Sequence, residues 1–370
     1  METQYVSYLK LEGTYEEIGT QMARKTRETK EVSKSLTIPE YFTQRELEEA
    51  IELYKTYCPG IIQELEGYAN ELGIKLIDFA YTWMTYLTPH CSGLIIDGSL
   101  MKDGHSRLVR NYEFNIENED LILCETRPEG KYAHIGGSVA LFGRTEGINE
   151  CGLAVSMSSC GFPVSNLAGM RPPKIKGLQF WAVVRSLLEN CKDVEEAIKL
   201  VKKMPIAYNI NLYLVDSNGN GSIVETMDGE ISYERISNKS RKKYICGTNH
   251  IVIPSFRKYE PFAMKNSIVR LQTIYNFMEG KKELEEEEVK ELFLTKYPEG
   301  MTAYYYDDWF GTIKTVVVDT TNRSLEICWF GQKENGWEEY RIGAPFKEQI
   351  LEKQYKREQA NSAFFRRENI

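Results

Sequence analysis

The chain has 370 residues, 42% of them hydrophobic and 27% charged, an ordinary globular composition. A formal net charge of −8 and a pI near 5.4, with lysine and arginine scattered along the chain, argue against nucleic acid as a partner. No apolar run approaches the ~20 residues that span a bilayer, and Met1-Glu2-Thr3-Gln4-Tyr5 lacks the basic start and apolar core of a signal peptide. The expectation is therefore a cytoplasmic protein with no membrane partner. The eight cysteines are spread widely with no C-x-x-C spacing. They read as reduced thiols, not as a disulfide framework or a zinc site, and neither a metal nor a cofactor is expected.

In chain order, residues 5–12 read as a strand, and the segment from Thr14 to about Thr29 as a helix with Thr14 and Glu17 in capping-box positions. Residues 44–73 hold two helical stretches broken at Cys58-Pro59-Gly60, and residues 76–88 are apolar and aromatic. The texture changes at Pro89-His90-Cys91. Gly93-Leu94-Ile95-Ile96 reads as a buried strand, Asp97-Gly98 and Asp103-Gly104 as turn signals, and Arg107-Leu108-Val109-Arg110 as a returning strand. Further strands are predicted near 131–135, 152–158, 210–216, 221–226, 312–319 and 324–330, and helices over 177–203 and 265–278. Glu283–Lys290 reads as a solvated helix face, the Gly136-Gly137 and Asn218–Gly221 clusters as turns, and residues 348–370 as a charged tail. A helical prefix followed by strands in series, with helices grouped apart, predicts an α+β fold with an antiparallel sheet.

The hairpin that begins at Cys91 turns between Asp97 and Gly104, which brings residues 110–114 opposite residue 91. Arg110, Asn111 and Glu113 are thus predicted neighbours of Cys91. A cation beside a thiol raises its reactive thiolate fraction, and a carboxylate nearby could hold an amine. The alternative is a buried strand cysteine with Arg110 and Glu113 as a surface ion pair. Cys151 and Cys160 read as core, and Cys246 as a residue lining the site without reacting. His90 pairs poorly with Cys91 as a base, because adjacent strand residues point to opposite faces. His105 and His134 read as structural or surface residues.

Cys91-Ser92-Gly93 followed by Arg110-Asn111-Tyr112-Glu113-Phe114 resembles the start of the mature chain in choloylglycine hydrolases and penicillin V acylases, and in the related acyl-coenzyme A:6-aminopenicillanate acyltransferases. Leu11-Glu12-Gly13-Thr14-Tyr15-Glu16-Glu17-Ile18-Gly19 resembles the propeptide of the acyltransferase branch, which cuts itself before the cysteine. Gly147-Ile148-Asn149-Glu150-Cys151-Gly152-Leu153, Gly247-Thr248-Asn249-His250 and Ser267-Ile268-Val269-Arg270 resemble further family segments in the family's order. Three positions depart from the family: Glu113 stands in place of Asp, Ser159 in place of an oxyanion-binding Asn, and His90 in place of a small residue before the nucleophile.

The resemblance implies a four-layer αββα sandwich of antiparallel sheets, the N-terminal-nucleophile (Ntn) hydrolase fold. Residues 1–90 would form a helical propeptide, 91–347 the catalytic domain and 348–370 a tail. It implies self-cleavage at His90–Cys91, after which the free α-amine of Cys91 serves as base for its own thiol. Asn249 and Ser159 would donate to the oxyanion, Arg110 and Arg270 would favour negative charge, and Glu113 would orient the α-ammonium. Asn111, Tyr305 and Trp309 are candidate substrate contacts. The implied partners are a small-molecule N-acyl amide and the chain's own propeptide, and homo-oligomerisation is left open. The readings in competition are a linear-amide hydrolase, an acyltransferase in which an amine resolves the thioester, a non-catalytic binding protein on the same fold, and a papain-like protease.

Overall fold

The first element, β1 (Glu2–Gly13), leads through Thr14 into α1 (Tyr15–Thr26). Thr14 Oγ1 accepts from the Glu17 N–H while the Glu17 carboxylate accepts from the Thr14 N–H, a reciprocal cap for two otherwise orphaned donors. Thr43 and Glu46 repeat the device at α2 (Gln44–Tyr57), and α3 (Ile61–Leu72) follows after the left-handed Gly60. Helices α1 and α3 cross backbone to backbone. A Cβ on Gly19 would lie 1.8 Å from the Glu64 carbonyl, and one on Gly67 would lie 2.2 Å from that of Glu16. The structure is a computed structural model that describes residues 1–27, 43–78, 89–162, 164 and 171–370. Most of the apolar run 76–88 therefore lies outside the described residues.

The chain continues through β2 (His90–Ile96), β3 (Arg107–Phe114), β4 (Ile122–Pro128), β5 (His134–Val139), β6 (Gly143–Asn149) and β7 (Ala154–Ser159). Helices α4 (Phe180–Asn190) and α5 (Val194–Val201) precede β8 (Ile210–Val215), β9 (Gly221–Met227), β10 (Glu230–Ile236), β11 (Tyr244–Gly247) and β12 (Phe262–Met264). Then come α6 (Lys265–Met278), α7 (Glu286–Leu294), β13 (Tyr304–Tyr305), β14 (Phe310–Asp319), β15 (Ser324–Trp329), β16 (Glu338–Arg341), β17 (Gln349–Tyr355) and β18 (Arg367–Asn369).

These strands form a nine-stranded sheet in the order β10-β9-β8-β7-β6-β5-β4-β1-β17 and a seven-stranded sheet, β11-β2-β3-β14-β15-β16, with β13 on β14. The sheets face each other through β2 and β3 against β7 and β8. Helices α4 and α5 cover the outer side of the larger sheet, and α6 and α7 that of the smaller. This is the αββα layering expected from the resemblance. The approach is close where Gly93 meets Tyr213: a Cβ there would lie 2.7 Å from the ring. Ile95, Tyr213 and Ile223 fill the seam, each apolar side chain contributing roughly 1.5–3 kcal/mol by leaving water.

Several elements differ from the sequence reading. The helix expected over 177–203 is two helices, because α4 stops at Asn190 and the Asp193 side chain accepts from the Glu196 N–H to start α5. Gly136 and Gly137 are not a turn but part of β5, with a register shift against β6. Lys290 is not solvated: it is buried, with Nζ 2.8 Å from both Glu286 and Glu326. The strand expected over residues 5–12 forms, but among the described strands it makes a parallel pairing, with β4, and so sits inside the larger sheet instead of apart from it. Residues 348–370 do not trail free, since β17 pairs with β1 and β18 pairs with β12 just ahead of α6. Glu64 of α3 is bound by the buried Arg185 of α4, which ties prefix to body. All eight cysteines are free thiols. Among the described residues, no helix is long and apolar enough to cross a membrane.

Candidate active site

Strands β2 and β3 pair so that Cys91 lies opposite Tyr112, His90 opposite Glu113 and Gly93 opposite Arg110. The two-residue alternation of a strand then sorts the neighbours. Cys91, Arg110 and Tyr112 share the side between the sheets, while His90, Asn111 and Glu113 share the side under α6 and α7.

On the inter-sheet side, Arg110 Nη2 donates to Cys91 Sγ at 2.7 Å. Its Nη1 donates to Glu146 Oε2 and to the Thr145 carbonyl, both at 2.5 Å. Lys314 Nζ stands 3.3 Å from the other Glu146 oxygen. Lys314 reaches this place because β14 bulges against β3 between Thr312 and Lys314, which sets Lys314 opposite Tyr112. Arg110 and Lys314 also lie over the Tyr112 ring, at 5.0 and 4.9 Å from its centroid. Burial would lift the Glu146 carboxyl, yet Lys314 and Arg110 together hold it below its usual range. The thiol behaves otherwise than expected: burial pushes Cys91 up to about 12, and the pull of Arg110 does not overcome it. Glu113 and Glu146 push the same way as burial. Cys91 is fully buried, and that burial favours the protonated thiol.

On the helix side, Arg270 of α6 donates from Nη1 to the Cys91 carbonyl at 3.1 Å, and from Nη2 to Asn249 Oδ1 at 2.6 Å and Asn266 Oδ1 at 3.1 Å. Asn249 Oδ1 also accepts from the Cys91 N–H at 3.3 Å. The Asn249 Nδ2 donates to the Ser159 carbonyl at 3.1 Å, and the Ser159 hydroxyl donates to the Pro89 carbonyl. Ser267 fixes Asn249 from behind, accepting its backbone N–H at 2.8 Å while its own hydroxyl lies 2.7 Å from His250 Nδ1. Glu113 Oε2 is 3.6 Å from Arg270 Nη1. Burial pushes the Glu113 carboxyl up to about 7, against the pull of Arg270 and Arg110.

His90 stacks on Phe310 with ring centroids 4.7 Å apart and is pushed down to about 3 by burial and by Arg270. A neutral ring on the far side of the strand from the thiol is not a base for it. Asn111 turns away to donate to the Phe293 carbonyl at 2.9 Å. Phe310, between Trp309 and Gly311, is the aromatic residue beside the His90–Cys91 bond. Tyr305 packs on Phe364, and Trp309 is 45% exposed against the edge of Phe114. Glu146 and Lys314 escaped the sequence reading because their meeting with Arg110 is made across the gap between two sheets. At the far end of the hairpin, Asp103, His105 and Asp319 converge in a metal-like cluster, but Arg107 already pairs with both carboxylates, at 2.5 Å and 3.2 Å.

An Ntn-type fold, with a cysteine at the head of an inner strand and its atoms held by Arg110, Asn249 and Arg270, defines a class of enzymes that act on amide bonds. The chain belongs to the acyl-coenzyme A:6-aminopenicillanic acid acyl-transferase family, whose model matches residues 100–334. The matched stretch begins beyond Cys91 and the bond before it. None of the curated proteins matches the chain. Among solved structures, a variant of conjugated bile acid hydrolase from Clostridium perfringens is similar at TM-score 0.43 and 12% identity, over 74% of this chain and 99% of that one. Penicillin V acylase from Agrobacterium tumefaciens is similar at TM-score 0.39 and 16% identity, over 65% of this chain and 82% of that one.

Proposed function

We propose that the chain cuts itself at His90–Cys91 and then works as an N-terminal-cysteine amidohydrolase on a linear N-acyl amide. One observation carries the reading: three atoms of a single residue are each held by a different side chain. Arg110 holds Sγ of Cys91, Asn249 holds its N–H and Arg270 holds its carbonyl oxygen. A merely structural strand cysteine has no need of three dedicated polar partners, two of them buried cations.

In the first cut, Cys91 sulfur bonds to the His90 carbonyl carbon, the C–N bond to Cys91 breaks, and the thiol proton passes to the departing nitrogen. Water then adds to the thioester carbon. The S–C bond breaks, one water proton returns to sulfur, and residue 90 ends as a carboxylic acid. The new α-amine, with a reference pKa of about 7.7–8.0, stands where Asn249 Oδ1 and Glu113 are poised to orient it, and takes the thiol proton in later turnovers. Substrate turnover repeats the same bond changes with an external acyl group and amine. Asn249 Nδ2 and the Ser159 hydroxyl, freed from the Pro89 carbonyl, are the donors for the oxyanion. The prefix stays attached as a second chain, because β1 is built into the larger sheet. The family's description favours a second reading, in which an amine instead of water resolves the thioester. The residues are the same for both.

The test is the intact mass of purified protein. Wild type should give two chains, the second starting Cys-Ser-Gly-Leu, and Cys91→Ala should give one. A wild type that stays whole, or a Cys91→Ala variant that still divides at residue 90, would overturn the proposal.

A further inference from the structure

Residues 358–370 run beside the aromatic segment 304–310 and then beside the start of α6. The Glu358 N–H donates to the Tyr304 carbonyl at 2.9 Å, the Ala360 N–H to the Asp308 carboxylate at 3.2 Å, and β18 pairs with β12. At the middle of this strap is Phe364, an aromatic only 2% exposed near the end of a charged segment. Its ring meets those of Phe310, Tyr305 and Tyr297 edge to face at 4.8–4.9 Å. Phe310 in turn carries His90 on its face and Arg270 at 4.8 Å from its centroid. The backbone of Phe364 reaches the site by a second route. Its carbonyl accepts from both the N–H and the Nδ2 of Asn266, at 3.2 and 3.0 Å, and Asn266 Oδ1 holds Arg270 Nη2.

His90 matters here because of what it is during self-cleavage. The group that Cys91 takes onto its sulfur in the first cut is the acyl group of His90. A later substrate places its own acyl group on the same sulfur, so the side chains around His90 border the acyl side of the site. The geometry points to Phe364 as a specificity-determining residue for the acyl group, its ring backing the Phe310 wall and its carbonyl setting Arg270 through Asn266. The inference rests on the self-cleavage reading above. It adds that a segment remote in sequence from every motif decides which acyl groups fit, and that its two contacts do separable work. The ring sets selectivity. The carbonyl–Asn266 contact sets the pose of Arg270, so Asn266 is a positioning residue.

The experiment uses full-length protein and two readouts: the first-order rate of self-cleavage, followed by intact mass, and the rates at which matured protein releases p-nitrophenol from p-nitrophenyl acetate and p-nitrophenyl decanoate. In the ester assay Cys91 sulfur takes the acyl group and p-nitrophenolate leaves. Phe364→Ala should change the decanoate-to-acetate rate ratio by about tenfold or more, while Phe364→Tyr should leave it near the wild-type value. Asn266→Ala should slow self-cleavage by about tenfold or more and leave the ratio unchanged. A Phe364→Ala protein that matures and keeps the wild-type ratio would overturn the assignment of the ring. An Asn266→Ala protein that cuts at the wild-type rate would overturn that of the carbonyl. A wild type that never divides at residue 90 refutes the self-cleavage reading itself, and this inference with it.

Discussion

The two sides of strand β2 hold charge in different ways. Between the sheets, Arg110, Glu146 and Lys314 form a closed set: each carboxylate oxygen of Glu146 has its own cation, at 2.5 and 3.3 Å, and the Glu146 carboxyl stays ionised although wholly buried. Under the helices, Glu113 has Arg270 at 3.6 Å, and that guanidinium is already committed to the Cys91 carbonyl and to Asn249. Burial therefore wins at Glu113 and loses at Glu146. The contrast separates a fixed scaffold for the thiol from a titrating group beside the His90–Cys91 bond. Along the hairpin, Glu113 lies one residue pair from Cys91 and Arg110 two pairs on the other way.

The largest effect is expected on the closed side. Glu146→Gln leaves two buried cations short of their anion and should destabilise the chain by about 3–5 kcal/mol in urea unfolding, read in a Cys91→Ala background so that cutting does not intervene. Adding Lys314→Met should return a large part of that loss. If the two substitutions simply add, the three charges are not a unit and the contrast collapses. Next in size is Asn249→Ala, which removes the group joining Cys91 N–H, Arg270 and Ser159. On matured enzyme it should lower kcat by about 10²–10³ with a smaller change in KM. An unaltered kcat would make Asn249 scaffold only.

The smallest effect belongs to the open side and depends on pH. The folded-state pKa of Glu113 is raised from 4.5 to about 7. The stability this contributes is present below about pH 4.5 and is lost as pH rises through about 7. In the Cys91→Ala background, Glu113→Gln should thus gain about 1–3 kcal/mol relative to its parent between pH 5 and pH 8. A difference that is the same at both pH values would show that the carboxylate is not strained by burial.

Much of this arrangement was legible in the sequence wherever the cause is local. The capping pair Thr14–Glu17 and the 265–278 helix follow from short-range patterns. The hairpin window put Arg110 near Cys91 before any register was known. What escaped is what the backbone decides at a distance. A single bulge in β14 turns Lys314 inward, and nothing around Glu146 marks it as the partner of a residue 36 positions earlier. Depression of the thiol was expected from Arg110 alone, because a sequence shows the charge and not the burial that outweighs it. Asn111 sits in the motif yet serves the Phe293 carbonyl, since alternation along β3 sends it to the opposite side from Arg110.

Strand β1 lies between β4 and β17, paired with β17 over Glu2–Tyr8 and with β4 over Ser7–Gly13. As long as the chain is whole, its unfolding is a one-body event and does not depend on how much protein is present. The proposed cut at residue 90 would change the molecularity. Losing β1 would become a dissociation of two chains, so the midpoint of melting would rise with concentration, and fragments made separately must find each other before the larger sheet can close. The whole chain carries its own partner at a high effective concentration, and the proposed cut would give up that advantage only once the sheet is already built.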